Sequence, residues 1–343
     1  FRDGLVFGRD LVFTFGPLGF LHAKRFDPTT WHWIVLSGAA VSTLVVATLV
    51  ALARRSGSSP LATAAIGTFV ILATVEPDAR CYSVVTAFVL LVAVPLDGRR
   101  FWLGWIAFTG LLAVFAVMKV SFLVLGGAAM GLVAVLALLR RTPALLVVPL
   151  GYLVSVAGWW LVAGQPLDAL PAYIRTGLLI SNDYSESLTS DGPASDIVRY
   201  LVGAALVLGA SGSARTRAGL AGWVAPIGLA LVAFMGFKHG FVRHGSHSGT
   251  AGATLTALAA WIWIATPAYR RLATACAVAA LAAGASSLAP GQSHSGVGLL
   301  AAPRQLMAEL AGTTGQVVDA LHGWPRARAR YDATLQDMRD WHP

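Results

Sequence analysis

Long apolar runs separated by short polar stretches set the pattern of this chain, and the runs recur at the length of a membrane helix. They fall at 31–53, 60–75, 81–96, 101–118, 120–139, 143–163, 198–211, 219–237, 250–266 and 272–289, about ten spans in all. Several are shorter than the roughly 20 residues that a perpendicular span takes, so their ends must extend into the flanking polar residues. A helix is the only state that satisfies every backbone polar group within such a segment, and the alternation expected of a membrane barrel strand is absent. The predicted fold is all-α, a polytopic transmembrane helix bundle with external loops and a short helical external tail.

Composition supports this reading. Hydrophobic residues make up 56% of the chain and charged residues 12%. About 25% charged is usual for a soluble domain, so a soluble body of this length would be left with an uncovered surface. The formal net charge of +9 is therefore read through its distribution and not as a sign of nucleic acid. Arg54-Arg55, Arg99-Arg100, Arg140-Arg141, Arg215 with Arg217, and Arg270-Arg271 occupy alternate short loops. That bias places these loops in the cytoplasm. Apart from Asp97, the carboxylates fall on the other side, together with all 8 histidines. The expected location is the plasma (inner) membrane with the active face external. The two cysteines, Cys81 and Cys276, sit in different apolar runs toward opposite faces, which argues against a disulfide.

The expected organisation is a transmembrane domain over 1–289, with an external N-terminal loop at 1–30 and a long external loop at 164–197, followed by an external helical tail at 290–343. In the tail, apolar positions at Leu299, Leu306, Leu310, Val317, Val318 and Leu321 suggest helices lying on the membrane surface or on the external loops. An external N-terminus calls for one more span upstream of Phe1, and more soluble chain is expected after the tail.

The first stretch with chemical content is Gly8-Arg9-Asp10, followed by Val12, Phe13 and Phe15 and then by Gly16-Pro17-Leu18-Gly19. The aromatic residues would dip into the interface, and the Gly-Pro step turns the chain and permits close backbone approach. A carboxylate held there beside an apolar wall can act as a general base; alternatively, Arg9 and Asp10 are a solvated pair at a turn. The segment resembles the first external loop of the GT-C membrane glycosyltransferases, many of which carry a Tyr-Arg-Asp followed by a Gly-Pro or Pro-Pro step before the second span. Gly8-Arg9-Asp10 and Gly16-Pro17-Leu18 match that pattern, with Gly8 where Tyr is common and without an adjacent Asp-Glu pair. The resemblance implies about ten to thirteen spans, an external soluble tail and a catalytic-base role for Asp10, with Arg9 beside the substrate.

Glu76-Pro77-Asp78-Ala79-Arg80 is the second candidate. In the GT-C family the second external loop commonly supplies an acid that helps bind the acceptor or a metal, so Glu76 or Asp78 would face Asp10 across a shared cleft. The competing reading is a helix cap, with Asp78 at the N-terminus of the next span. A divalent cation, Mg or Mn, needs only one or two carboxylates besides phosphate and water.

The third candidate is the polar stretch containing Lys238, His239, Arg243, His244 and His247, interleaved with glycines. Arg and Lys bind phosphate and glycine permits close approach, which suits a polyprenyl-phosphate-linked sugar. A solvated loop, or a metal on His244 and His247, are the alternatives. Lys119 separates two apolar runs and is read as a loop residue that snorkels, with an inward functional cation as the alternative. Gly127-xxx-Gly131 offers a close helix contact. Tyr173, Arg175, Asn182, Asp183, Tyr184 and their neighbours in the long loop suit a carbohydrate as well as any external loop.

Together these features lead to a membrane glycosyltransferase that moves a sugar from a polyprenyl-phosphate donor to an external glycan or lipid acceptor, with the bilayer as its solvent. A lipid or sugar transporter or flippase, and a non-catalytic assembly protein, are the competing classes. A transferase requires Asp10 and the His/Arg stretch at one face, whereas a transporter requires polar groups at the midplane.

Overall fold

The computed structural model describes residues 4–23, 29–73, 76–93, 99–187, 191–213, 219–242 and 244–265, with Ala329, Asp332 and Ala333 besides. These residues form α1 (Phe20–Ala23), α2 (Trp31–Ser56), α3 (Pro60–Ala73), α4 (Pro77–Ala93), α5 (Arg99–Met118), α6 (Val120–Leu139), α7 (Val147–Val162), α8 (Leu170–Ser187), α9 (Ala194–Ser213), α10 (Val224–Val242) and α11 (His244–Ala265). No strand forms among them. Each predicted apolar run within the described residues is helical; the run at 272–289 and the tail helices lie outside them. Six helical stretches are long and apolar enough to cross a membrane: Trp31–Ser56, Val120–Leu139, Pro143–Val162, Ala194–Gly212, Gly219–Val242 and His247–Ala265. The protein is thus a membrane α-helical bundle.

Local chemistry explains the helix ends. α2 stops at Gly57, whose φ of 64° is left-handed, and the N–H groups of Gly57 and Ser58 close back on the carbonyls of Arg54 and Ala53. Arg54 and Arg55 lie in that last turn, where cations suit the helix dipole. α4 starts at Pro77, a residue pre-set for the first helical position, and Glu76 accepts the N–H of Ala79 on Oε2 at 2.7 Å. Glu76, not Asp78, is therefore the side chain that caps α4.

α4 is the axis of the bundle. Every residue from Cys81 to Val92 is buried, and α2, α5, α6, α10 and α11 pack around it. A helix that is apolar all round is a core helix. In a bilayer its packing is held by close fit and not by escape from water. Gly228 of α10 supplies that fit against α4, because a Cβ there would press into Val89, and Gly236 does the same against Thr254 of α11. The start of α4, the break between α5 and α6, the end of α10 and the start of α11 meet at one end of the bundle, opposite Arg99 and Arg140.

Two predicted loops are helical. Lys238 to Val242 continue α10, and His244 to Gly249 begin α11, so the third candidate stretch lies on two helix ends that pack together. The long loop at 164–197 carries α8. Buried Ala169 just before it and buried Tyr173 and Gly177 within it recur every four residues, so one helical face lies against the bundle.

Candidate functional site

The site is built where the N-terminal segment crosses the break between α5 and α6. Lys119 has an extended backbone, φ −156° and ψ 134°, which leaves helix-end groups to be satisfied. The N-terminal segment satisfies them. Val120 N–H donates to Thr14 O at 2.9 Å, and Gly16 N–H donates to Met118 O at 3.0 Å. Gly16 is required for this approach, because a Cβ there would collide with the carbonyl of Val117 and the Tyr173 hydroxyl. Gly8, at φ 87°, lies against the backbone of Tyr173 in the same way. Gln165, 4% exposed, closes the segment's other end: its Oε1 accepts Phe7 N–H at 2.9 Å and its Nε2 donates to Leu5 O at 3.3 Å.

Beneath this segment lies a buried charge cluster centred on Asp78, whose side chain is 5% exposed. Lys119 Nζ donates to Asp78 Oδ1 at 2.8 Å. His22 Nε2 lies 3.2 Å from the same oxygen, off hydrogen-bond alignment. His239 Nε2 lies 3.2 Å from Oδ2. The Lys119 ammonium also sits 5.1 Å from the Phe15 ring centroid and 5.6 Å from that of Phe122, two cation–π contacts in a desolvated setting. His247 of α11 meets the His239 ring edge to face at 5.3 Å. The Tyr82 hydroxyl, one turn along α4 from Asp78, has no hydrogen-bond partner among the described residues.

Glu76 stands beside this centre. Burial, and then the Asp78 charge, push its carboxyl up from its ordinary value of 4.5 to about 7. A carboxyl with that pKa exchanges its proton near neutrality, as a general acid or base requires.

An apolar groove of about 1010 Å³ opens next to the cluster. Leu18, Leu21, Trp33, Ile106 and Trp159 line it, drawn from the N-terminal segment, α2, α5 and α7. Leu21 also lines a smaller hollow of about 60 Å³ with His22, Pro77 and Arg80. The groove and the smaller hollow therefore meet at Leu21 of α1, next to His22 of the Asp78 cluster.

The sequence-predicted residues divide into three groups. Glu76, Asp78, His239 and His247 come together, with Lys238 half-buried next to His239. Asp10 is exposed, and its Oδ2 accepts the N–H of Val6 at 2.8 Å, closing its own turn. Arg9 pairs with Asp168 at 2.8 Å. That hydrogen bond and charge hold the Asp168 carboxyl below its ordinary range. Arg243 lies outside the described residues.

His244 does not join His247. Its Nε2 lies 3.3 Å from Asp196 Oδ2, and Arg199 Nη1 donates to the other oxygen of that carboxylate at 3.0 Å. The two histidines thus serve different clusters, which removes the His244–His247 metal pair. Among the described residues no set of three or more His, Cys, Asp or Glu side chains converges on a metal position. His22, Lys119 and Gln165 are members that the sequence did not assign to the site. Lys119 turns inward to an ion pair and does not snorkel; a lone cation between two apolar runs was the available signal.

Comparisons with protein families, with curated proteins and with solved structures found no match for this chain.

Proposed function

We propose that the protein is a membrane glycosyltransferase of the cell envelope, resembling the GT-C type, that moves a sugar from a polyprenyl-phosphate donor to a glycan or lipid acceptor on the external face of the plasma membrane. The observation that carries this reading is the adjacency of the Asp78 cluster to the groove walled by α2, α5 and α7. A polyprenyl chain fits an apolar groove between spanning helices, and a phosphosugar head group fits a centre that combines carboxylates, histidines and a lysine. The external assignment rests on the arginine pairs at the far end of the bundle.

Two carboxylates compete for the base role, Asp10 through the resemblance and Glu76 through its environment. We assign it to Glu76, whose carboxyl is pushed up to about 7 by burial and by the Asp78 charge. Asp78, tied to Lys119 and His239, serves as the fixed charge that orients the centre, while Lys238, His239 and His247 face the donor phosphate. Arg9 and Asp10 shape the turn above it. A divalent cation, Mg or Mn, would enter with the phosphate, because the described residues alone do not build its site. The charged members of the cluster lie at helix ends and not at mid-span, which favours surface transfer over midplane transport.

The test is transfer of labelled sugar from a polyprenyl-phosphate donor in membranes containing the protein. Glu76→Gln at equal abundance is expected to lose about 10²- to 10⁴-fold in rate, the usual worth of general-base help. Absence of transfer by the wild-type chain across polyprenyl-linked sugars would reject the proposal.

A further inference from the structure

α8 turns one face to the bundle and leaves the opposite face without a partner. On the outer face lie Pro171, Arg175, Leu178 and Leu179, with Leu178 41% and Leu179 54% exposed. Positions i, i+4 and i+8 (171, 175 and 179) and i+3 of Arg175 (178) share one side of a helix, so the guanidinium sits in the middle of an apolar stripe. With Leu170 and Ile174 these residues form a shallow groove of about 590 Å³. Among the described residues Arg175 has neither an ion pair nor a hydrogen bond, unlike Arg9, which is paired with Asp168. A patch of exposed leucines around one unpaired cation is not what a water-facing helix presents.

The patch is continuous with the lipid-facing surface. α7 ends with Leu161 and Val162, 52% and 65% exposed, and Leu167 follows in the short connection to α8 at 48%. This apolar belt runs from the end of a spanning helix along α8, at the end of the bundle where the polar cluster lies. A helix with this arrangement belongs in the plane of the bilayer interface, where a long cationic side chain reaches the head groups while its neighbours meet acyl chains.

We propose that the outer face of α8 is a binding site for an anionic phospholipid, with its phosphate on the Arg175 guanidinium and an acyl chain along Leu170, Ile174, Leu178 and Leu179. A guanidinium presents a fork of donors matched to phosphate oxygens. This site lies apart from the Asp78 cluster and does not depend on the transferase reading.

The test is native mass spectrometry of the full chain released from nanodiscs of mixed phosphatidylcholine and phosphatidylglycerol. The phosphatidylglycerol-over-phosphatidylcholine preference of the wild-type chain is expected to exceed that of Arg175→Gln about fivefold, the worth of one interfacial cation on an anionic lipid. Arg175→Lys is expected to keep most of that increment, which the arginine pairs of the other loops do not supply. Leu178→Asn with Leu179→Asn should lower retention of both lipids. Both sets of substitutions are at exposed positions, so the fold is not at issue. Equal retention of the two lipids by the wild-type chain, or an unchanged preference in Arg175→Gln, would overturn the site. A dimer that disappears in the leucine variant would place a second copy on this face and would also overturn it.

Discussion

Phe15 and Lys119 pair as an isolated antiparallel bridge, and the same lysine carries its ammonium 5.1 Å from the Phe15 ring centroid before reaching Asp78. One residue thus ties the N-terminal segment to the central helix through its backbone and its side chain together. The helix break at Lys119 exposes backbone groups that a membrane-embedded chain must satisfy, and Thr14 to Gly16 provide the partners. Docking of this segment also brings His22 to the Asp78 carboxylate. The segment and the charge cluster are consequently one unit, and disturbance of either should register in the other.

Gly16 is the most direct probe of that unit. Gly16→Ala places a methyl group against the Val117 carbonyl and the Tyr173 hydroxyl. Overpacking of this kind costs roughly 1–3 kcal/mol, and here the N-terminal segment can yield by lifting from the α5–α6 break. The expected result is a lower thermal midpoint in detergent, with faster hydrogen exchange at the Val120 and Gly16 amides than in the wild-type chain. Gly131→Ala is the control: Gly131 lies within α6 with nothing in contact range of an added Cβ, so amide exchange at the break should not change.

The Asp78–Lys119 pair should behave as a buried ion pair. Removing one partner leaves the other charge uncompensated, at a cost of about 3–5 kcal/mol, whereas replacing both with uncharged groups costs much less. Asp78→Asn and Lys119→Met are therefore each expected to be strongly destabilising, and the double variant to be markedly more stable than the sum of the two single losses predicts. Additive losses in reversible detergent unfolding would show that the two groups do not depend on one another.

Tyr82→Phe tests whether the hydroxyl below Asp78 serves the ligand-free protein. A buried donor without a partner carries a desolvation penalty of about 1–3 kcal/mol. Removing it is expected to leave stability unchanged or raised in the same unfolding assay. A clear loss would show that the hydroxyl is satisfied in solution.

The helical framework was legible because a membrane leaves few options: the length of the apolar runs marked the helices before any contact was known. The centre was only partly legible. Glu76 and Asp78 stood out as carboxylates in a short polar stretch, but nothing local distinguishes the capping Glu76 from the buried Asp78. That distinction comes from His22, 56 positions before Asp78, and from Lys119 and His239 far after it. Glycines misled in a similar way. A Cβ on Gly127 or Gly131 meets open space, whereas Gly126, which no spacing pattern singles out, lies against Tyr152. The surroundings of each glycine are tertiary and leave no trace in the spacing.

Glu76 predicts how stability follows pH. Its carboxyl titrates near its ordinary value of 4.5 when unfolded and near 7 when folded. Between those values the folded chain holds a proton that the unfolded chain has lost, so the stability contributed by the protonated form is fully present below 4.5 and falls as pH rises through 7. Relative to Glu76→Gln, which has no proton to lose, the wild-type thermal midpoint should decline between pH 5 and pH 8. Parallel curves for the two proteins would mean that Glu76 is not desolvated as the fold places it.

Asp10 and Glu76 are separated by the same pair of substitutions applied to sugar transfer. Asp10 is exposed and spends one carboxylate oxygen on the N–H of Val6. Asn retains a carbonyl oxygen that can accept that bond, so in Asp10→Asn the turn, and the docking of Gly8 against Tyr173, should persist. If Asp10 only closes its turn, transfer in Asp10→Asn stays within a few-fold of wild type, and Asp10→Ala, which cannot accept the bond, loses more. If Asp10 is the base, Asn and Ala are equally inactive, down by about 10²- to 10⁴-fold, because neither can take a proton. We expect the first pattern for Asp10 and the second for Glu76→Gln and Glu76→Ala. The two residues differ in pH response as well. A base at Glu76 gives a rate that rises with pH through about 7, and that inflection should disappear from the residual activity of Glu76→Gln while surviving in Asp10→Asn. An inflection that survives in Glu76→Gln and vanishes in Asp10→Asn would transfer the base role to Asp10.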